Sequence, residues 1–289
     1  MLAEVIGGLV SGSLALIADA GHMLTDFASL ALAWGAFRFA RRPADPRRTY
    51  GYDRLSVMAA FVNGLALLVL CAWIAFEAVQ RLREPVEVLA GPMLAIAVIG
   101  LGVNVLAFRL LTGGGSQNLN VRAAALHVMG DLLGSVAAIV AAVIIMLTGW
   151  TPADPILSAL VLVLILRSAV RVLRESGHIL LEGAPSGVDA AAVARAVEAD
   201  VPGARNVRHV HAWSISQERP MVTLEADLCA GHDADTVRRR IKAVIESAFG
   251  VGHTTVELCT PGNAGPHAEG LDHAPGADTC NGEGGRHAP

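Results

Sequence analysis

The sequence predicts an α-helical membrane protein with six transmembrane helices, the first of them short, followed by a small C-terminal α+β domain. Three observations carry this. The 289 residues are 53% hydrophobic and only 17% charged, where a soluble domain has about 25% charged residues. Mean hydropathy is +0.51. The apolar residues also come in long runs that end near Leu181, after which charged and apolar residues mix as they do in water-soluble folds. The expected organisation is a membrane domain over residues 1–181, a second domain over 182–260, and a disordered tail over 261–289, rich in Gly, Pro, Ala and His.

A helix needs roughly 20 apolar residues to cross the hydrocarbon layer. Stretches near 17–39, 55–80, 89–111, 121–148 and 155–175 meet that length. The run Leu2–Val10 does not. Either residues 2–20 form one compressed span or the chain enters the first helix part-way; Ser11-Gly12-Ser13 reads as a turn, which favours the second, with Glu4 at membrane depth. No basic segment precedes this run, and no cleavable signal peptide is expected.

The loops give the orientation. Arg38, Arg41, Arg42, Arg47, Arg48 and Arg54 crowd one loop; Arg109 and Arg122 flank the next on that side, and Arg167, Arg171 and Arg174 end the last span. On the other side, Arg81 and Arg83 are offset by Glu84 and Glu87, and the turn Thr148–Pro155 has no arginine. Arginine-rich loops stay in the cytoplasm, which places both termini there in a multi-pass inner-membrane protein. The net charge of −4 says little about partners. There is no basic stripe with interleaved aromatics, so nucleic acid is not an expected ligand. The four cysteines are too sparse for a secreted disulfide scaffold, and Cys71 reads as packing.

After Pro185 the periodicity changes. Residues 188–200 have helical spacing, Val207–Ile215 and Met221–Leu228 alternate as strands, and Asp233–Phe249 is a second helix capped by Asp233 or Asp235. Thr254–Cys259 is a third strand. The order α-β-β-α-β predicts a two-layer domain with its helices on one face of the sheet. If Val222, Leu224, Ala226 and Leu228 face those helices, Glu225 faces away; if Val256 and Leu258 face inward, His253, Glu257 and Cys259 face outward. His209 and His211 share a face with Val207 and Trp213, and alternation does not place them.

Of the ten histidines, only His22 and His127 fall inside predicted spans, and each is followed four residues later by aspartate, Asp26 and Asp131. Residues four apart lie on one helix face, with ~6 Å of rise between them. Two facing helices thus present two imidazoles and two carboxylates, a set that tetrahedral zinc accepts. An ionised Asp at the bilayer centre costs ~2.5 kcal/mol or more unless it has a partner or water. One divalent cation would neutralise both carboxylates. The bland alternative is a pair of structural His–Asp hydrogen bonds. Asp19 reads as a cap or vestibule residue, and Asn63 and Asn104 as interhelical hydrogen-bonding groups.

Three segments resemble the cation diffusion facilitator family: Ser11-Gly12-Ser13-Leu14-Ala15-Leu16-Ile17-Ala18-Asp19-Ala20-Gly21-His22, Arg48-Thr49-Tyr50-Gly51-Tyr52-Asp53-Arg54, and Asn120-Val121-Arg122-Ala123-Ala124-Ala125-Leu126-His127-Val128-Met129-Gly130-Asp131. The similarity is to the bacterial zinc/cadmium/cobalt efflux branch and covers about residues 3–260. It implies a homodimer of six-helix protomers exchanging cytoplasmic metal for protons, with His22, Asp26, His127 and Asp131 as the transport site. Zn²⁺, with Cd²⁺ or Co²⁺ as alternatives, is then substrate, and no organic cofactor is expected. Position 53, often His in the family, is Asp here. The resemblance further implies a dimerising cytoplasmic domain of ferredoxin-like fold that senses metal; His211, Glu225, His232 and Cys259 best match its ligand positions. His267, His273, Cys280 and His287 in the tail have no fixed geometry.

Two readings of other classes stand beside transport. A bis-His membrane haem protein would use His22 and His127 but has no need of the aspartates. A membrane metal sensor without transport would not need ionisable pairs within the bilayer. No His-Glu-x-x-His occurs, which argues against a metalloprotease, and no enzymatic activity is expected.

Overall fold

The computed structural model describes residues 2–40, 45–112 and 119–260. The chain divides into two compact units, one made of Met1–Pro43 and Met58–Ser176, the other of Ala44–Val57 and Gly177–Pro289.

The first unit is helical. Helix α1 (Leu2–Ser11) breaks at the predicted turn, and α2 (Leu14–Ala40), α3 (Arg54–Arg83), α4 (Ala90–Thr112), α5 (Leu119–Thr148) and α6 (Ala153–Leu180) follow. The break is made by Gly12 in the left-handed region at φ 71°, a conformation that costs a residue with a Cβ. Apolar windows within α3, α4, α5 and α6 have a mean hydropathy of 2.2 to 2.3 and are long enough to cross a membrane. Many of their Leu and Val side chains, Leu106, Leu110 and Leu147 among them, stay exposed, as expected where lipid is the solvent.

Helix α2 is the hub. On one side Leu14 and Ala18 pack with Leu67, Cys71 and Ile74 of α3 and Leu162, Ile165 and Ala169 of α6. On the other, Ala15 and Leu16 pack with Met93 and Ala97 of α4 and Ala138, Ala141 and Ala142 of α5. The alanine-rich contact lets the helices approach closely, which is how helices associate when burial from water is no longer the driving force. Gly100 on α4 serves the same end: a Cβ there would lie 2.7 Å from Glu4 Oε1.

The second unit has the predicted order, α7 (Ala190–Asp200), β1 (Ala204–Ser214), β2 (Pro220–Leu228), α8 (Ala234–Phe249) and β3 (His253–Cys259). Asp189 caps α7 and Asp233, rather than Asp235, caps α8; the latter carboxyl is held below its usual range, first by the Thr236 hydroxyl. The sheet order is β1-β2-β3, antiparallel then parallel. Val193, Val197, Val222, Leu224, Ala226, Val237, Ile241 and Ile245 form the core between helices and sheet. That leaves Thr223, Glu225 and Asp227 on the opposite face, as alternation predicts. β1 is irregular: its register shifts on both sides of Arg208, with Asn206 and His209 at φ 49° and 47°. These bulges re-aim side chains, which is why strict alternation fails to place His209 and His211.

The arginine-rich loop packs within this second unit. Asp45 accepts hydrogen bonds from the backbone N–H groups of Arg47 and Arg48, both at 2.8 Å, and Arg48 lies over the Tyr52 ring at 4.8 Å. Asp53 pairs with Arg219 at 2.7 Å and Arg54 with Glu182 at 2.9 Å. The Asp53 carboxylate is therefore engaged in an ion pair.

Candidate metal centre

Helix α2 places His22 and Asp26 one turn apart on one face, and α5 brings Asp131 to them. His22 Nε2 lies 3.5 Å from Asp26 Oδ2 and 3.9 Å from Asp131 Oδ1. All three side chains are largely shielded, at 16%, 24% and 10% exposure respectively. Ligands about 2.0–2.1 Å from a tetrahedral zinc stand roughly 3.3 Å apart, so a small inward shift closes these pairs around an ion. His127 sits on α5 one turn before Asp131, and its side chain lies outside the described residues. Among those that are described, no three His, Cys, Asp or Glu side chains are yet gathered tightly enough to hold an ion; His22 is the member common to both close pairs.

Hydroxyl groups bracket the site on α2. Thr25 Oγ1 donates to the His22 carbonyl at 2.7 Å, and Ser29 Oγ to the Asp26 carbonyl at 2.9 Å. Polar groups also continue from Asp131 along α5. Ser135 accepts from Asn104 Nδ2 of α4 at 3.4 Å, which makes Asn104 the interhelical link the sequence suggests. Asp19 is buried, with Oδ1 3.1 Å from where a Cβ on Gly134 would sit. It lies inside α2 and is not a cap; the cap of α2 is built from Ser13 and Asp154, which sequence reasoning missed. Asp154 precedes Pro155 at the start of its own helix, so its spacing signals a local cap and gives no hint of a bond to another helix.

The four cytoplasmic candidates are not brought together. Glu225 is gripped by its own strand neighbours: His209 Nδ1 at 2.8 Å and Arg208 Nε at 3.2 Å occupy its two oxygens. Arg208 also reaches Asp227 at 2.7 Å, and Asp227 accepts from Asn206 at 2.9 Å. Cys259 pairs in register with Asp227 on the same face; burial pushes its thiol up, against the pull of Arg208. His211 is exposed opposite Thr223. His232 lies before α8, its ring packed where a Cβ on Gly203 would be and its Nδ1 3.4 Å from the Ala230 carbonyl. The bulge at His209 is the physical reason: it brings His209, in place of His211, to Glu225. His267, His273, Cys280 and His287 lie outside the described residues.

Comparison with known proteins agrees with this architecture. The profile described as the cation efflux transmembrane domain matches residues 1–181, and that of the cation efflux protein cytoplasmic domain matches 178–260. The zinc transporter ZitB of Escherichia coli (strain K12) is 52% identical over 259 residues, covering 89% of this chain and 82% of the relative. The cadmium, cobalt and zinc/H(+)-K(+) antiporter of Bacillus subtilis (strain 168) is 40% identical, covering 90% and 85%. The metal cation efflux system protein CzcD of Cupriavidus metallidurans is 37% identical, covering 92% and 86%.

Proposed function

The chain belongs to the cation efflux, or cation diffusion facilitator, family, and on that premise we propose that it exports zinc through a site formed by His22, Asp26, His127 and Asp131. The observation that carries this reading is the His22 imidazole set between two carboxylates from different helices, inside an apolar bundle. A buried cluster of this kind is unfavourable without a cation or protons to balance it.

The chemistry follows from the ligands. Carboxylate and imidazole bind metal only when deprotonated, so loading from the cytoplasm releases protons and unloading on the far side takes them up. Exchange against protons thus needs no group beyond the four ligands. Nitrogen and oxygen donors in a tetrahedral arrangement favour Zn²⁺, and accept Cd²⁺ and Co²⁺, over the octahedral oxygen sites of Mn²⁺ and Mg²⁺. The relatives' names, which specify zinc or cadmium, cobalt and zinc, support that range. The match to the family's cytoplasmic domain supports a homodimer, and the arginine distribution supports an inner-membrane protein with both termini in the cytoplasm.

The test is metal uptake into inverted vesicles with a pH gradient, comparing zinc, cadmium, cobalt, nickel and manganese. Zinc uptake should be fastest, with protons moving the other way. Zinc uptake no faster than in vesicles lacking the protein would overturn the proposal.

A further inference from the structure

An α-helix leaves its first four N–H groups without partners in the helix, and where that end is buried there is no water to take them. In α2 all four are satisfied, two of them by another helix. Leu14 N donates to Asp154 Oδ2 at 2.6 Å and Ala15 N to Asp154 Oδ1 at 3.2 Å. Leu16 N donates to Ser13 Oγ at 3.3 Å, and the N–H of Ser13 itself to Ser11 Oγ at 3.3 Å. Ser13 Oγ in turn donates to Asp154 Oδ1 at 2.7 Å. Asp154, at the first turn of α6, is fully buried. Arg81 of α3 completes the knot: its Nη1 donates to the Gly12 carbonyl and stands 3.9 Å from Asp154 Oδ2.

We infer that Asp154 is a positioning residue for the transport site: it pins the start of α2, and so sets how far along the bundle His22 and Asp26 stand relative to Asp131. The inference rests on the transport reading above. Two features make the pin specific. The cap is made by a carboxylate from a neighbouring helix, so α2 cannot slide along α6 without breaking three hydrogen bonds. And the remaining contacts of this end of α2 are apolar, made by Leu14, Ala15, Leu16 and Ala18, which resist separation but tolerate sliding. Ligands held to the wrong height by even 1 Å lose much of their affinity and discrimination.

The experiment uses the purified full-length protein in detergent and in vesicles. Zinc and cadmium dissociation constants and uptake rates are measured for Asp154→Ala, Asp154→Asn, Ser13→Ala and, as a packing control, Ile145→Ala. Asp154→Ala should weaken zinc binding roughly tenfold or more and change the zinc-to-cadmium ratio. Asp154→Asn keeps one acceptor oxygen, enough for Ala15 N and the Ser13 hydroxyl, but sets an NH2 group against Leu14 N, so it should recover part of the loss; Ser13→Ala, which keeps both carboxylate oxygens, should be the mildest of the three. Ile145→Ala should lower thermal stability while leaving the metal ratio unchanged. If Asp154→Ala does not fold, the ordering of Asn and Ser13→Ala against the control decides the matter. Wild-type affinity and ratio in Asp154→Ala and Ser13→Ala would overturn the inference. His22→Ala, measured alongside, separates this from the transport reading: unchanged zinc binding there means the ligand set is wrong, whatever Asp154 does.

Discussion

His22 Nε2 and Asp131 Oδ1 stand 3.9 Å apart although they belong to α2 and α5. Nothing local in the sequence forces this pair together. It arises because the alanines of α5 let α2 approach closely, with Ala15 and Leu16 seated against Ala138, Ala141 and Ala142. The small side chains above the site are therefore part of what brings its donors into range.

The aspartates are the first test. Asp26→Ala and Asp131→Ala should each abolish zinc uptake, because a tetrahedron missing one oxygen no longer holds the ion against water. Both proteins should still insert and stay folded, since each variant also removes a charge from an apolar setting. Uptake in vesicles alongside thermal melting checks both halves, and near wild-type uptake in either variant would remove the residue from the site.

His22→Asp tests selectivity. It turns a set of two nitrogens and two oxygens into one nitrogen and three oxygens, and adds negative charge at membrane depth. Discrimination of zinc against cadmium and manganese should weaken, and the pH optimum for uptake should move, because the empty site must hold an additional proton. Initial rates for each metal from about pH 6 to 8 read this out. Unchanged metal ratios and an unchanged profile would mean that His22 does not touch the ion.

Much of this is legible in the sequence for a simple reason. Apolar run length and charge-free spans report helices directly, and a His and an Asp four apart inside a span are costly unless they hold a cation or a proton. The order α-β-β-α-β is equally plain, because Val222, Leu224 and Ala226 alternate cleanly against Glu225. Periodicity is blind to anything decided by backbone irregularity or by contacts far apart in the chain. His209 reaches Glu225 only through a bulge at φ 47°. Asp154 caps a helix that begins far from it in sequence. Asp19 resembles a cap because it lies near the start of an apolar run, and the true start is fixed by Ser13.

Arg208 is the cation of the cytoplasmic face. It is shared by Glu225 and Asp227, with its side chain only 15% exposed. Arg208→Ala should destabilise this domain by about 1–3 kcal/mol, the penalty for leaving carboxylates uncompensated. It should also free Glu225 and Asp227 to take up zinc. Binding stoichiometry in a background lacking His22, Asp26 and Asp131 checks this: the background should bind none, and a second substitution at Arg208 should add a site. An unchanged stoichiometry on adding Arg208→Ala to the background would show that Arg208 is not what keeps zinc from Glu225 and Asp227.

Cys259 offers a test by pH. Burial favours its neutral thiol and pushes the thiol up, while the reactive form is the thiolate. Alkylation of Cys259 in the folded protein should therefore be slower at about pH 8 than for an unfolded control, and should still be climbing where an ordinary thiol has levelled off. Since the fold prefers the neutral form, this group's contribution to stability is present below the ordinary thiol range and is lost as pH rises through the elevated value. Peptide-level mass spectrometry gives the rate; labelling at the unfolded rate would contradict the buried placement.

The hydroxyls of Thr25 and Ser29 turn back onto the carbonyls of His22 and Asp26. Such bonds draw on carbonyls that otherwise serve the helix alone, and they ease bending at that point. His22 and Asp26, the α2 members of the proposed site, thus sit on a turn that bends more readily than one held by the helix bonds alone. Flexure there would alter the gap between His22 and Asp26. A carrier must let go of what it has grasped, and cations of unequal radius demand grips of unequal width. A turn that bends readily at this point suits both demands on the proposed site.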